Sequence, residues 1–87
     1  MIADNAALHR FELTENGKTV FANYRREGNV FTLPHVEADP ALRGTGAAAR
    51  LMEGIAAVAR ERGYRIIPTC SYACAWFKRH PASQDVL

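Results

Sequence analysis

Polar and apolar side chains alternate along Arg10-Phe11-Glu12-Leu13-Thr14. A period of two predicts a strand with one buried face. Asn16-Gly17 follows, a pair favoured at tight hairpin turns. Lys18-Thr19-Val20-Phe21-Ala22-Asn23-Tyr24-Arg25 is rich in β-branched and aromatic residues and predicts a second strand. Glu27-Gly28-Asn29 predicts a second turn, and Val30-Phe31-Thr32-Leu33 opens a third strand running to about Val36. Three strands joined by short turns make an antiparallel meander.

The period then changes. Asp39-Pro40 breaks the third strand, and a glycine loop follows at Arg43-Gly44-Thr45-Gly46. From Ala47 to Arg62 the apolar side chains fall at Ala48, Leu51, Met52, Ile55, Val58 and Ala59. Spacings of three and four mark one face of a helix. Gly63, just past Arg60 and Arg62, is a C-terminal stop with basic residues in the last turn. Tyr64 to Ile67, ended by Pro68, predicts a fourth strand. A helix between two strands is a β-α-β unit, whose strands run parallel through a right-handed crossover. Ser71 to Arg79 predicts a short helix, capped by Thr69 or Ser71 and ended by Pro81. Asp85-Val86-Leu87 reads as a tail. The expected fold is α/β, a mixed sheet in the order βββ-α-β-α, in a single domain over residues 1–87.

Length and composition narrow the classes. At 87 residues, 48% hydrophobic and 23% charged, the chain has enough for one core and not for two. Its longest uncharged run, Ile66 to Phe77, has 12 residues, short of the ~20 that span a membrane. Met1-Ile2-Ala3-Asp4 lacks the basic and apolar regions of a secretory signal. Cys70 and Cys74 do not look like a disulfide framework, so the expected location is cytoplasmic. Without paired histidines they make no zinc site either. The net charge of +2 is divided unevenly, −2 over residues 1–40 and +4 over 41–87. A positive second half suits a polyanionic ligand, and equally a solvated helix face.

The segment from Val36 to Ala48 is the most informative. A strand ends, a glycine loop follows, and a helix starts inside that loop. The first turn of a helix leaves four N–H groups without partners, and its dipole adds partial positive charge. Phosphate oxygens fit such an end without any side chain. Gly44, Gly46, Ala47 and Ala48 keep the approach clear, Arg43 adds a cation, and Thr45 offers a hydroxyl. No lysine follows the glycines, so this is not the nucleotide loop G-x-x-x-x-G-K-[ST]. Nor is there the third glycine of a dinucleotide fingerprint.

Arg43-Gly44-Thr45-Gly46-Ala47-Ala48 matches the R-x-x-G-x-[GA] pattern of the GCN5-related N-acetyltransferases. With Pro68-Thr69-Cys70-Ser71-Tyr72 and His80-Pro81 downstream, the chain resembles the smallest branch of that superfamily from Phe11 to Pro81. The resemblance implies a mixed sheet that opens between the strand near His35–Ala38 and the strand near Arg65–Ile67. It implies that acetyl-CoA lies there, its diphosphate on the N–H groups of Gly44 to Ala48 and its pantetheine arm along Val36, Glu37 and Ala38. The thioester is then expected between His35 and Cys70, and the partner is an amine acceptor.

Acetyl transfer needs a neutral amine, a stabilised oxyanion and a proton for the leaving thiolate. Cys70 is a candidate nucleophile, a residue lining the site, or a small buried thiol. His35, whose imidazole ionises near neutral pH, is a candidate base or a structural histidine. Glu37 shares its face if the strand stays regular, and can bind a cationic amine. Many larger relatives have a tyrosine where Phe77 stands here, and phenylalanine has no proton to give, so Tyr72 is one candidate acid and water the other, unless Tyr72 simply packs. Lys78, Arg79 and His80 either reach the adenosine 3′-phosphate or form a solvated helix end.

The expected function is therefore N-acetyl transfer to a protein lysine, an N-terminus or a small amine. A non-catalytic CoA-binding domain that retains the phosphate loop is the alternative. A single-strand RNA module would need Tyr24 and Phe31 exposed, and their alternation predicts that they point inward. Nucleic acid is not an expected partner, a membrane is excluded, and the expected state is a monomer or a homodimer.

Overall fold

The computed structural model describes residues 2–87. The meander forms as β2 (Arg10–Glu15), β3 (Lys18–Glu27) and β4 (Val30–Ala38). A helix α1 (Ala47–Arg62) then crosses to β5 (Arg65–Pro68), and α2 (Ser71–Arg79) follows. A short strand that the periodicity does not reveal, β1 (Ala3–Asn5), precedes them, so the order βββ-α-β-α holds from Arg10 onward. The sheet order is β1-β2-β3-β4-β5, antiparallel except for the parallel pair β4 and β5.

Alternation decides which sheet face is buried. Phe11 and Leu13 of β2 and Val20, Ala22 and Tyr24 of β3 share one face and join a single core. On that face α1 lays Leu51, Met52, Ile55, Ala56 and Ala59, and α2 lays Ala73, Trp76 and Phe77. Phe31 stands at the centre, its ring 4.5 Å from that of Tyr64, 4.9 Å from Tyr24 and 5.5 Å from Phe11. Tyr24 and Phe31 are thus unavailable as base-stacking platforms. The opposite face carries Arg10, Glu12, Phe21 and Asn23, with no helix over it.

The termini are tied to this core. Tyr24 donates its hydroxyl to Asp4 at 2.6 Å, which pins β1. The expected tail is instead a 3₁₀ helix, Pro81–Val86, with Val86 buried. Arg60 holds the Asp85 carboxylate with Nε at 2.7 Å and Nη2 at 2.8 Å, and Arg65 reaches the Asp85 carbonyl at 2.8 Å. A buried apolar anchor plus a bidentate ion pair orders a segment that composition alone leaves open.

β4 is not a regular strand. Arg25 pairs with Thr32, and Asn23 pairs with His35. Two steps along β3 therefore match three along β4, which is a bulge of one extra residue. Pro34 sits inside it, and a proline has no N–H to give a ladder. The bulge reverses the faces of the strand. Before it Phe31 and Leu33 point into the core; after it Val36 and Ala38 do, leaving His35 and Glu37 on the uncovered face.

Phe31→Ala should cost about 3–5 kcal/mol, which urea unfolding would measure. Burial, reinforced by Asp4, pushes the Tyr24 phenol up to about 12. The native state thus keeps this proton where the unfolded chain has lost it. That contribution is complete below pH 10 and is lost as the pH rises from 10 to 12. Stability should fall across that window, and Tyr24→Phe should remove this part of the slope.

Candidate active site

The β4–β5 ladder is short, and its end shapes the site. It runs from Val30–Arg65 to Leu33–Pro68 and stops. The carbonyl of Leu33 accepts from the N–H groups of both Thr69 and Cys70, each at 3.1 Å. Two prolines stand at this point, Pro34 in the β4 bulge and Pro68 at the end of β5, but β5 donates to β4 from the alternate residues Arg65 and Thr69, so Pro68 takes no donor from the ladder. Beyond Leu33 the chain of β5 turns into α2, while β4 continues to Ala38 with no partner strand on that edge among the described residues. The opening is therefore flanked by Pro34–Ala38 and by Thr69–Cys70. The stretch Arg65–Ile67, expected to border it, is fully paired with Val30–Thr32.

From the open end of β4 the chain enters a 3₁₀ turn, Pro40–Leu42, capped by the Asp39 side chain on the Ala41 N–H at 2.9 Å. Buried Leu42 anchors that turn. Gly44 and Gly46 then take φ values of +78° and +84°. Side chains are strained in that left-handed region, so glycine is what allows α1 to start this abruptly. Gly46 is the N-cap of α1, with no side-chain cap and no acidic residue in the first turn. Ala47 N–H reaches Thr45 Oγ1 at 3.3 Å. Gly44, Gly46, Ala48 and Ala49 have no N–H acceptor among the described residues. These are oriented donors of the kind that bind phosphate.

Thr45 does not add to them. Its hydroxyl donates to the Leu42 carbonyl at 2.6 Å, so it closes the loop rather than facing a ligand. Arg43 is exposed and makes no ion pair among the described residues. A cavity of about 280 Å³ lies against this turn, lined by Ala38, Leu42, Arg43, Gly46, Ala48 and Tyr72. The cavity thus joins the loop to the first turn of α2. Arg50, which sequence reasoning missed, gives Glu15 two hydrogen bonds of 2.7 Å and stands over Gly46.

The remaining candidates separate into two groups. Cys70, rather than Thr69 or Ser71, caps α2, its Sγ accepting the Ala73 N–H at 3.3 Å. It is half-buried against the core. Tyr72 is one turn on, 39% exposed. Burial pushes its phenol above the ordinary value near 10; Arg79 opposes this and Cys70 adds to it. The hydroxyl therefore keeps its proton at neutral pH. Phe77 is buried. His35 and Glu37 are on the other side of the sheet, with Nε2 and Oε1 3.0 Å apart, and the Phe21 ring meets the imidazole edge-on at 6.5 Å. No hydrogen bond joins His35 to Cys70 among the described residues. Lys78 and Arg79 are exposed in the last turn of α2, and His80 turns back, its Nδ1 2.7 Å from the Trp76 carbonyl.

A strand parted from its neighbour, next to a helix that starts on free amides, can be compared with known proteins. A family profile described as GCN5-related N-acetyl-transferase matches residues 10–86. The chain belongs to this family. Acetyl transfer is the family's general chemistry. The solution structure of a GCN5-like protein from Staphylococcus aureus shares the fold, with a TM-score of 0.71 at 23% identity. The superposition covers 99% of this chain and 85% of that one. No curated protein matches this chain.

Gly44→Ala and Gly46→Ala should each destabilise the fold by about 1–3 kcal/mol through the positive φ alone. Chemical denaturation would measure this, and a cost near zero at both positions would contradict the loop geometry.

Proposed function

We propose that this chain transfers the acetyl group of acetyl-CoA to an amine. The observation that carries the reading is the set of unpaired amides at Gly44, Gly46, Ala48 and Ala49, beside the cavity reaching Tyr72. The side chains of the turn itself are small, as a diphosphate requires, and the one large group beside it is the Arg50 guanidinium over Gly46, a cation held by Glu15. These amides and Arg43 would hold the diphosphate, and the free edge at Val36, Glu37 and Ala38 would hold the pantetheine arm. Acetyl-CoA, when bound, supplies an activated acyl group.

The chain's own residues then manage protons. The Glu37 carboxylate only accepts hydrogen bonds, so in neutral His35 the hydrogen sits on Nε2 and Nδ1 is left as the basic nitrogen. That nitrogen can take the proton an ammonium must lose before it attacks. Tyr72 is the donor to the leaving thiolate in this reading; burial keeps its phenol protonated, and the same upward shift makes it a weaker acid. Cys70 lines the site, its sulfur engaged by Ala73 N–H and without a base to activate it. This reading favours direct transfer over an acyl-enzyme.

Acetyl-CoA should raise the melting temperature at concentrations above its dissociation constant, and Gly46→Glu should abolish the shift while the fold survives. Release of free thiol with amines would then demonstrate turnover; a shift without any release would mark a CoA-binding domain instead. Cys70→Ser should keep turnover within about 3-fold, whereas loss of more than ~10-fold would assign the acyl group to the thiol. His35→Asn should slow turnover by about 10²-fold, in the range of a general base.

A further inference from the structure

One charged pair beside the glycine turn is hard to explain by the fold alone. The N–H of Arg50 closes the first turn of α1 on the Gly46 carbonyl at 3.0 Å. A cation at this end of a helix is opposed by the dipole, and the turn has no acidic residue of its own to offset it. The compensating carboxylate comes from another element. Glu15 ends β2 on the face of Phe11 and Leu13, and it takes Nε and Nη2 of Arg50 in a fork, both bonds 2.7 Å long. Glu53, one turn further along α1, adds a weaker attraction. An exposed ion pair contributes little to stability, so the fold gains little by holding a cation against the dipole.

The fork fixes the plane of the guanidinium and leaves one nitrogen over. Nη1 makes no hydrogen bond among the described residues. It stands over Gly46, where a methyl carbon on that glycine would be 3.0 Å from it. Gly46 thus has a second reason to lack a side chain, because it leaves room for this group. The cavity that reaches Tyr72 is on the other flank of the turn: Arg43 and Ala48 line it, and Arg50 does not. Arg50 is two residues past Ala48, about 200° around the helix. The sheet order agrees, with Glu15 on β2 and Tyr72 in the helix that follows β5. The unpaired amides therefore have Arg43 on the side of α2 and the Arg50 guanidinium on the side of β2.

From this arrangement we infer that Arg50, positioned by Glu15, binds the second phosphate of the acyl donor. It makes the site select a thioester that carries a diphosphate, as CoA does, over one carried on a single phosphate. The pantetheine arm and the acyl group approach from the flank of Tyr72. The phosphate next to the arm meets Arg43 and the amides, and the phosphate on the nucleotide side meets Nη1 of Arg50. Glu15 touches no ligand; it orients the guanidinium before the ligand arrives. The inference rests on the acetyl-CoA reading and deepens it, and a series of phosphates separates the two.

The probes are 4′-phosphopantetheine, 3′-dephospho-CoA and CoA, which carry one, two and three phosphates. Their affinities for the full chain would be measured by calorimetry. Arg50→Gln should weaken 3′-dephospho-CoA and CoA by about 10-fold each, as loss of a charged hydrogen-bond pair does, and 4′-phosphopantetheine by less than about 2-fold. Glu15→Gln keeps the cation but releases it, and should weaken the two diphosphates by about 3-fold while sparing 4′-phosphopantetheine; damage to the fold would weaken all three together. The melting temperature of each free variant should stay near that of the parent chain. In turnover the loss in Arg50→Gln should appear in the KM for acetyl-CoA. An equal loss for all three probes would put Arg50 on the phosphate beside the arm. A loss confined to CoA would put it on the 3′-phosphate, and no loss would leave the pair as a clip between β2 and α1. Each of these results overturns the inference. Failure of the parent chain to bind CoA would instead count against the acetyl-CoA reading.

Discussion

The architecture of the site depends on where β4 runs out of partners. One carbonyl, that of Leu33, closes the parallel ladder by accepting from both Thr69 and Cys70. Past it, the chain after β5 turns into α2 and the pairing does not continue. A sheet edge inside a protein is normally paired or covered, because a row of unpaired peptide groups invites another strand. Here the edge from Pro34 to Ala38 stays open, and it leads directly into the helix whose first amides are also unpaired. Two sets of unsatisfied backbone groups adjoin each other on one continuous stretch of chain.

The bulge in β4 has a second consequence. By inserting one residue it exchanges the faces of the strand, so that His35 and Glu37 emerge on the side opposite the helices. The phosphate-type loop and the cavity reaching Tyr72 are on the helix side. A ligand lying in the parted sheet would thus have the loop behind it and an imidazole ordered by a carboxylate in front. The division places the glycine loop and the His35–Glu37 pair on opposite sides of the sheet with a single irregularity. The apolar core beneath, centred on Phe31 and closed by Trp76 and Phe77, holds both halves of the sheet in place.

Much of this was legible from local signals. Alternation marked β2 and β3, Asn16-Gly17 marked their turn, and the three-four spacing with Gly63 marked α1. Those signals work because they depend on neighbours in the chain. The strand β1 was not legible: three residues, Ala3, Asp4 and Asn5, show no period, and they are held by Tyr24 and Glu12 from elsewhere. The Pro81–Val86 turn was missed for the same reason, since its order comes from Arg60 and Arg65. At the loop, glycine spacing indicated free amides from Gly44 to Ala48; the Thr45 N–H and hydroxyl both turn to the Leu42 carbonyl and the Ala47 N–H to Thr45, leaving Gly44, Gly46 and Ala48 without a partner among the described residues.

What the amino-acid sequence determined by itself is the backbone chemistry of the site. Glycines at 44 and 46 permit the left-handed turn, and alanines at 47 to 49 keep bulky side chains off the helix start; each effect belongs to the residue itself. What only the tertiary structure decided is which groups face one another. The extra residue in β4 becomes visible only in register with β3, and the free edge only in register with β5. The bonds from His35 to Glu37 and from Ala73 to Cys70, like a depression beside Phe21, follow from that register. Register is a relation between distant segments, set by which side chains the helices bury, and for that reason no local pattern contains it.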